Sequence, residues 1–258
     1  MNVLIEAHSK SSLFTTIIRL LSSIADEVNI IIDASKMFIQ AMDTSRVSMF
    51  ELTLDSAWFD KYTFEGTALV LGVRLTIISK ILACRSANQT IKLASHDNLI
   101  EIDFESDSKD EINKYFNTSL YAFDQDLLCV PETEYNVDIK IKSDQIHGII
   151  GMLAQFGEVV RISCDEAGIM LSNIENQSET RMTATIKMED IDEYAIVEGT
   201  KVESAAYSLQ YLTQIACFYK TAGEVSIHLT PEIPLCLIYN VSETSNVKFW
   251  VSPRIEDD

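Results

Sequence analysis

The residue types in this chain that most readily do chemistry form one short cluster, Asp43, Thr44 and Ser45, followed by Arg46. A carboxylate next to hydroxyl groups could activate a nucleophile, and a guanidinium beside them could hold an anion. The same residue types also build tight turns, because Asp and Ser side chains bond to backbone N–H groups nearby. Strand-like patterns precede and follow the cluster, so we interpret it as a turn between two strands.

No other part of the sequence indicates an active site. The patterns GxxxxGK[ST], GxGxxG, HExxH and GxSxG do not occur. The four histidines lack metal-ligand spacing, and the five cysteines form no CxxC pair. We therefore expect no enzyme, no cofactor and no metal site, and reduced cysteines in an intracellular protein.

The composition is that of a folded and strongly acidic protein. Hydrophobic residues make up 47% of the 258 residues, which is enough for a core, and the net charge is −19. Proteins that wrap nucleic acid usually present a basic face to its phosphates, so DNA contact here requires a local basic patch. No apolar run approaches membrane-spanning length and the N-terminus lacks a secretory pattern, so we expect no membrane association.

Two halves of the chain repeat one order of elements. Helices are predicted from Ser11 to about Ile24 and over Ser143–Phe156, each followed by β-rich segments. A shift of 132 residues places Ile17 on Ile149, and the shift becomes 134 at the second helix of each half. An internal repeat of this kind predicts two similar α+β domains, each with two helices packed on antiparallel sheets.

The stretch between the repeats, residues 119–135, has no clear period. Carboxylates interrupt its apolar residues, and Pro131 argues against a helix interior or a central strand. A segment of this length without regular structure is typically a functional loop or a linker. We therefore predict an N-terminal domain at 1–118, a connecting loop at 119–135 and a C-terminal domain at 136–258.

Six stretches of the chain carry distinctive motifs. In order, they are QAMDTSRVSMFELTLDSAWFDKYTF at Gln40–Phe64, LGVRLTIISKILAC at Leu71–Cys84, VPETEY at Val130–Tyr135, SLQYL at Ser208–Leu212, PEIPL at Pro231–Leu235 and FWVSPRIEDD at Phe249–Asp258. Together they resemble proliferating cell nuclear antigen, the family of eukaryotic DNA sliding clamps, over the full length of the chain. The divergence between the motifs indicates a distant member, viral or from a deep-branching eukaryote.

The resemblance implies a DNA-clamp fold in which three chains form a closed ring around duplex DNA. Such a ring acts as a processivity factor for DNA polymerase, recruits replication and repair proteins, and is opened by a clamp loader. It catalyses nothing. In the family, an edge strand of the first domain pairs with one in the neighbour's second domain, here about Glu111–Ser119 and Ser178–Lys187. The implied location is the nucleus, or the replication compartment for a viral member.

The resemblance also implies a pocket for partner peptides of the form Q-x-x-aliphatic-x-x-aromatic-aromatic, which fill an apolar hole beneath the connecting loop. The positions carried over are Met42, Arg46, Val47, Leu128, Val130, Pro131, Pro234, Trp250, Ser252 and Pro253. The family usually has His at position 46 and Tyr at position 250. Without the resemblance, Met42, Val47 and Pro234 would be interpreted as core and turn residues.

The helices that line the hole of a clamp carry Lys and Arg in the family, and this chain departs from that pattern. The aligned positions are Thr15, Thr16, Ser22, Lys80, Ala83, Gly148, Gly151, Gln210 and Cys217. The remaining candidates for DNA contact are Arg19, Lys80, Arg85 and Lys220. We expect non-specific binding of double-stranded DNA that is weaker and less salt-dependent than in a basic-pored clamp.

This departure leaves two alternatives to a homotrimeric clamp open. One is a clamp-shaped scaffold or decoy, which binds clamp-interacting peptides but is loaded poorly on DNA. The other is one subunit of a heterotrimeric clamp. Polymerase processivity separates the first alternative from a sliding clamp, and the mass in solution separates the second.

Overall fold

The computed structural model describes residues 3–7, 10–124, 126–173, 180–197 and 202–254. The chain divides into two compact units. Unit 1 contains the residues up to Asp43, together with Phe50–Leu128 and Ser242–Asn246. Unit 2 contains Thr44–Met49, Cys129–Val241 and the residues from Val247 on.

Unit 1 is built from two helices and strands that precede and follow them. In chain order the elements are β1 (Val3–Ala7), α1 (Ser11–Leu21), β2 (Glu27–Ile32), β3 (Lys36–Met42), β4 (Ser48–Asp55, whose first two residues are counted with unit 2), β5 (Lys61–Phe64), β6 (Leu69–Arg74), α2 (Leu75–Leu82), β7 (Thr90–His96), β8 (Leu99–Glu105) and β9 (Lys114–Ser119).

Unit 2 repeats this series. Its elements are β10 (Val137–Lys142), α3 (Ser143–Leu153), β11 (Val159–Asp165), β12 (Gly168–Asn173), β13 (Thr183–Lys187), β14 (Glu193–Ile196), β15 (Val202–Ser208), α4 (Leu209–Ala216), β16 (Glu224–Leu229), β17 (Leu235–Asn240) and β18 (Asn246–Val251).

The strand order shows the repeat most directly. Unit 1 has one sheet in the order β5-β1-β7-β8-β9 and the series β4-β3-β2-β6. Unit 2 has the matching series β14-β10-β16-β17-β18 and a sheet in the order β13-β12-β11-β15. Helix α3 starts 132 residues after α1, and α4 starts 134 residues after α2, as the two sequence shifts predict.

Each unit forms its core by placing one helix face against its sheets. Phe14, Ile17, Ile18 and Leu21 follow helical spacing in α1 and are buried. The corresponding apolar residues of α3 are buried as well. Helix α1 packs beside α2, and α3 packs beside α4. The predicted α+β fold, with helices on antiparallel sheets, is confirmed.

Helices α1 and α3 both end earlier than the sequence predicts: α3 ends at Leu153 rather than at Phe156, and the end of α1 has a local reason. Helix α1 ends at Leu21 rather than near Ile24. The hydroxyls of Ser22 and Ser23 donate to the carbonyls of Arg19 and Leu20, at 2.8 and 2.7 Å. Hydroxyl groups that bond back to the preceding turn compete with regular helix continuation.

Two short edge strands, β5 and β14, are not apparent from sequence patterning. Both are four residues long, and exposed and half-buried side chains alternate along them. Without a buried apolar face, such strands carry no clear signal of period two. Between β9 and β10, the described residues of the connecting stretch contain neither helix nor strand apart from one bridge between Tyr121 and Gly72. Among the described residues, no helix combines the length and apolar character needed to cross a bilayer.

Candidate functional site

The chemistry-bearing cluster at residues 43–46 is a turn, as its residue types indicate. Strand β3 ends at Met42 and β4 begins at Ser48. Asp43 is buried, whereas Thr44, Ser45 and Arg46 are exposed. Arg46 has a φ of 58°, in the left-handed region that non-glycine residues adopt mainly in turns. The described residues contain no group of three or more potential metal ligands.

Most of the residues aligned with the peptide pocket lie in unit 2. Val47, Val130, Pro234, Trp250, Ser252 and Pro253 are half-buried, and Arg46 and Pro131 are exposed. The backbone N–H of Ser252 donates to the carbonyl of Val47 at 2.8 Å. This bond brings the segment after β18 alongside the turn that precedes β4.

Trp250 is held by a second interaction within unit 2. Its side chain hydrogen-bonds to Tyr135, whose ring centroid lies 5.3 Å from that of His228. Burial and the neighbouring Cys236 raise the pKa of Tyr135, and the bond from Trp250 opposes that change. The phenol therefore stays neutral, and the indole is oriented by a polar partner while part of its apolar surface stays accessible.

Met42 and Leu128, the two remaining aligned residues, belong to unit 1. Their exposed fractions are 37% and 47%, which is high for large apolar side chains. The backbone of Leu128 is nevertheless fixed, because its N–H donates to Gln40 Oε1 at 2.7 Å and its carbonyl accepts from Gln40 Nε2 at 2.9 Å. Gln40 is 88 residues away in sequence, and only its presence in the QAM motif signals it beforehand.

The candidate DNA contacts fall into two groups. Arg19 on α1 and Lys80 on α2 are exposed. Lys220 is exposed after α4, and its Nζ lies 5.6 Å from the ring centroid of Tyr219. Arg85 differs, because its guanidinium donates to three backbone carbonyls and to Ser12 Oγ.

The helices of unit 2 expose very little positive charge. Along α3, Asp144, Gln145, Gly148 and Met152 are exposed, and no Lys or Arg occurs in the helix. Instead, the imidazole of His147 stacks on Tyr219, with ring centroids 4.1 Å apart and planes 17° from parallel. Sequence reasoning does not reveal this aromatic pair, because its members come from two separate helical segments.

Two strands at sheet ends lie within the segments expected at the ring interface, of which residues 178 and 179 are outside the described residues. Strand β9 ends the five-stranded order of unit 1, and β13 ends the four-stranded order of unit 2. Tyr115 on β9 is 62% exposed, and Ile112 just before it is 80% exposed. Exposed edge strands with apolar side chains are templates for pairing with another chain.

Comparison with known protein families decides the identity of the chain. Residues 4–127 match the family described as proliferating cell nuclear antigen, N-terminal domain. Residues 129–254 match the family described as proliferating cell nuclear antigen, C-terminal domain. The chain belongs to the proliferating cell nuclear antigen family.

Membership in the proliferating cell nuclear antigen family indicates the general function of the two-unit fold. The family consists of sliding clamps, which are scaffolds rather than enzymes, and DNA and clamp-interacting proteins are its partners in general terms. The resemblance that the sequence motifs indicate is thereby confirmed. The turn at residues 43–46 and the connecting stretch belong to a sliding clamp, and they need no catalytic interpretation.

Proposed function

We propose that three copies of this chain close into a ring around duplex DNA and hold DNA polymerase on its template. The observation that supports this proposal is the repeat of two clamp units in one chain, with β9 at the end of a sheet in one unit and β13 at the end of a sheet in the other. We further propose that the ring acts in the nucleus, or in the replication compartment of a virus.

The ring contact joins β9 of one chain to β13 of the next. Head-to-tail contacts of this type close into a ring when the rotation between neighbours fits. Pairing the two strands satisfies their outward backbone groups and covers Tyr115 and Ile112, which are otherwise largely exposed. A closed ring leaves neither edge open to further association.

DNA lies against the helices in this proposal, and Arg19, Lys80 and Lys220 are its phosphate contacts. We leave Arg85 out of this set because backbone carbonyls and Ser12 already engage its guanidinium. Few charges suffice for a clamp, since a closed ring stays on DNA by topology rather than by affinity. Repair proteins, the polymerase and the clamp loader bind through peptides.

The receptor for such peptides is the apolar surface near Val47, Pro234 and Trp250 in unit 2, to which the family resemblance adds Met42 and Leu128. Half-buried aromatic and aliphatic side chains can accept an apolar anchor while the surrounding backbone is already fixed. The bond between Ser252 and Val47 and the bond between Trp250 and Tyr135 provide this rigidity.

Loading on circular DNA tests the clamp function. The protein is loaded onto a nicked circular plasmid by a clamp loader with ATP, and the bound fraction is measured before and after the plasmid is cut. We expect retention on the circle, loss from the linear form, and longer products from a cognate polymerase. A protein that stays bound after cutting, or that never becomes retained, contradicts a sliding ring.

A second candidate function is the scaffold or decoy that binds partner peptides with little loading. The absence of Lys and Arg from α3 favours it. The same experiment separates the two functions, because a decoy binds a labelled partner peptide but neither remains on the closed circle nor extends polymerase products.

A further inference from the structure

One side chain in unit 1 holds both backbone groups of a residue in the connecting stretch. Gln40 Oε1 accepts from the N–H of Leu128 at 2.7 Å, and Gln40 Nε2 donates to the carbonyl of Leu128 at 2.9 Å. The carboxamide thus offers Leu128 the donor and acceptor pair that a neighbouring strand residue would offer. The pairing is unusual because the partner is a side chain on β3 rather than a backbone.

A carboxylate determines which way round this carboxamide sits. Gln40 Nε2 also donates to Glu51 Oε1 at 2.8 Å. An ionised carboxylate only accepts hydrogen bonds, so the nitrogen of the carboxamide must face Glu51 and its oxygen must face the N–H of Leu128. Glu51 on β4 therefore selects the orientation in which both bonds to Leu128 form.

The consequence is an apolar side chain presented on a fixed backbone. Leu128 is 47% exposed although its main chain is bound at two points, and its neighbour Leu127 is 56% exposed. The surrounding stretch has neither helix nor strand among its described residues. A loop whose conformation is set before a ligand arrives loses less entropy on binding than a free loop does.

We propose that Gln40 is a positioning residue for partner-peptide binding, which it supports by clamping Leu128 in the receptive conformation. This inference rests on the proposed peptide binding. It adds a residue that does not touch the peptide, and it assigns Glu51 the role of orienting the carboxamide of Gln40.

The test uses the full chain and measures two properties separately: the hold of Gln40 on the backbone of Leu128, and the affinity for a partner peptide. Amide hydrogen exchange at Leu128 is followed by NMR, and affinity is followed by the fluorescence anisotropy of a labelled Gln-x-x-Leu-x-x-Phe-Phe peptide. We expect Gln40→Ala to accelerate Leu128 exchange about tenfold and to weaken peptide binding about tenfold, or about 1.4 kcal/mol. Gln145→Ala, which removes an exposed glutamine of α3, is the matched control and leaves both values unchanged.

A conservative pair of variants distinguishes positioning from general destabilisation. Gln40→Glu alone places a carboxylate at position 40 next to that of Glu51, and we expect it to lose the hold on the backbone of Leu128. Adding Glu51→Gln supplies a donor to the new carboxylate, which can again accept from the N–H of Leu128 but cannot donate to its carbonyl. We expect the double variant to recover part of the slow exchange at Leu128 and part of the affinity, while the thermal midpoint of every variant stays within about 3 °C of the wild type.

Each outcome bears on a different step. If amide exchange at Leu128 is unchanged in Gln40→Ala, the proposal that Gln40 holds the backbone of Leu128 is overturned. Faster exchange with unchanged peptide affinity overturns its role in binding. If the wild type does not bind the peptide, the proposed receptor fails and the positioning role fails with it, whereas the exchange rates still decide whether Gln40 holds Leu128.

Discussion

Arg85 shows how one side chain can be committed to the fold although its type suggests DNA contact. Its Nη1 donates to the carbonyls of Ser86, Ala87 and Gln89 at 2.9 to 3.0 Å, and its Nη2 donates to Ser12 Oγ at 2.7 Å. Burial lowers the pKa of this guanidinium below its ordinary value, and the nearby carboxylate of Glu111 offsets only part of that change. The guanidinium stabilises the turn after α2 through these hydrogen bonds. A phosphate would have to displace the carbonyls and the hydroxyl that it already contacts.

Replacing Arg85 should therefore affect stability rather than DNA binding. A lysine in Arg85→Lys has one ammonium group and cannot reach all of these acceptors, so we expect a loss of about 2 kcal/mol in the free energy of unfolding. Urea unfolding measures this loss. Binding to short linear duplex should remain close to that of the wild type, whereas Lys80→Gln should weaken it; the reverse pattern would restore Arg85 as a DNA contact.

Asp33 gives the clearest pH dependence at the residue scale. Its carboxylate accepts from Ser35 Oγ at 2.6 Å and from the backbone N–H groups of Ser35 and Lys36 at 2.7 and 3.0 Å. The Ser35 hydroxyl bond lowers the pKa of Asp33 below its ordinary value of 3.8, against the opposing effect of burial. The ionised form is thus favoured in the folded turn between β2 and β3.

The sign of the pH effect follows from the lowered pKa. The stabilisation is complete above the ordinary value of 3.8 and disappears as the pH falls through the lower folded value. We expect the free energy of unfolding of the wild type to exceed that of Asp33→Asn by about 1 kcal/mol at pH 7, because hydrogen bonds to a charged acceptor are stronger than those to a neutral one. Urea unfolding of both proteins from pH 7 to pH 2 should show the difference vanish; a difference that grows with acidity would contradict it.

At the scale of elements, α3 is the helix whose surface least suits a phosphate backbone. Gly148 and Gly151 face open space, because an added Cβ at either position meets no atom within 4 Å. Glycine also lowers helix stability by about 1 kcal/mol relative to alanine. The exposed face of α3 therefore carries no Lys or Arg, its glycines lower the helix stability, and it tolerates larger side chains.

The double variant Gly148→Lys with Gly151→Lys should strengthen DNA binding. Each new phosphate contact steepens the slope of log K against log salt by about 0.9. Binding to short linear duplex across a salt titration measures the slope. The double alanine variant is the control, because it gains helix stability without charge; equal slopes for the lysine and alanine variants would show that α3 does not face DNA.

The edge strand β9 is the element on which ring closure depends in our proposal. Tyr115, which is 62% exposed, would be covered by the neighbouring chain. A glutamate in Tyr115→Glu would bury an unpaired charge in that contact, so we expect the mass in solution to fall from three chains to one. Light scattering measures the mass. Lys109→Glu, in the exposed segment before β9, is the charge control and should leave the trimer intact.

For the whole molecule, charge and topology act in opposite directions on DNA. A chain with a net charge of −19 repels phosphate at long range, and in the described residues only a few exposed cations lie on or next to the helices. A closed ring does not need high affinity, because it cannot leave circular DNA without opening. Sliding is compatible with weak contact and is hindered by strong contact.

This balance predicts a shallow salt dependence for the assembled protein. Every phosphate contact that is missing relative to a basic-pored clamp removes about 0.9 from the slope of log K against log salt. A titration on short linear duplex, which the ring can thread and leave, should give weak binding and a shallow slope. A slope as steep as that of a basic-pored clamp would show that cations outside the candidate set contact DNA.

The amino-acid sequence determined the repeated α+β architecture, the two residue shifts between the halves, the turn at residues 43–46 and the family. These features depend on the period of apolar residues and on motifs, both of which are local in the chain. The sequence also showed the scarcity of positive charge on α3, since that needs only the residue types of one helix.

Only the tertiary structure showed that Gln40 holds Leu128 across 88 residues and that the guanidinium of Arg85 is already engaged. It also paired the imidazole of His147 with the ring of Tyr219. Such contacts depend on strand order and on side-chain conformations chosen in the packed state. No local period records them, because the two partners acquire their relation only when the chain has folded.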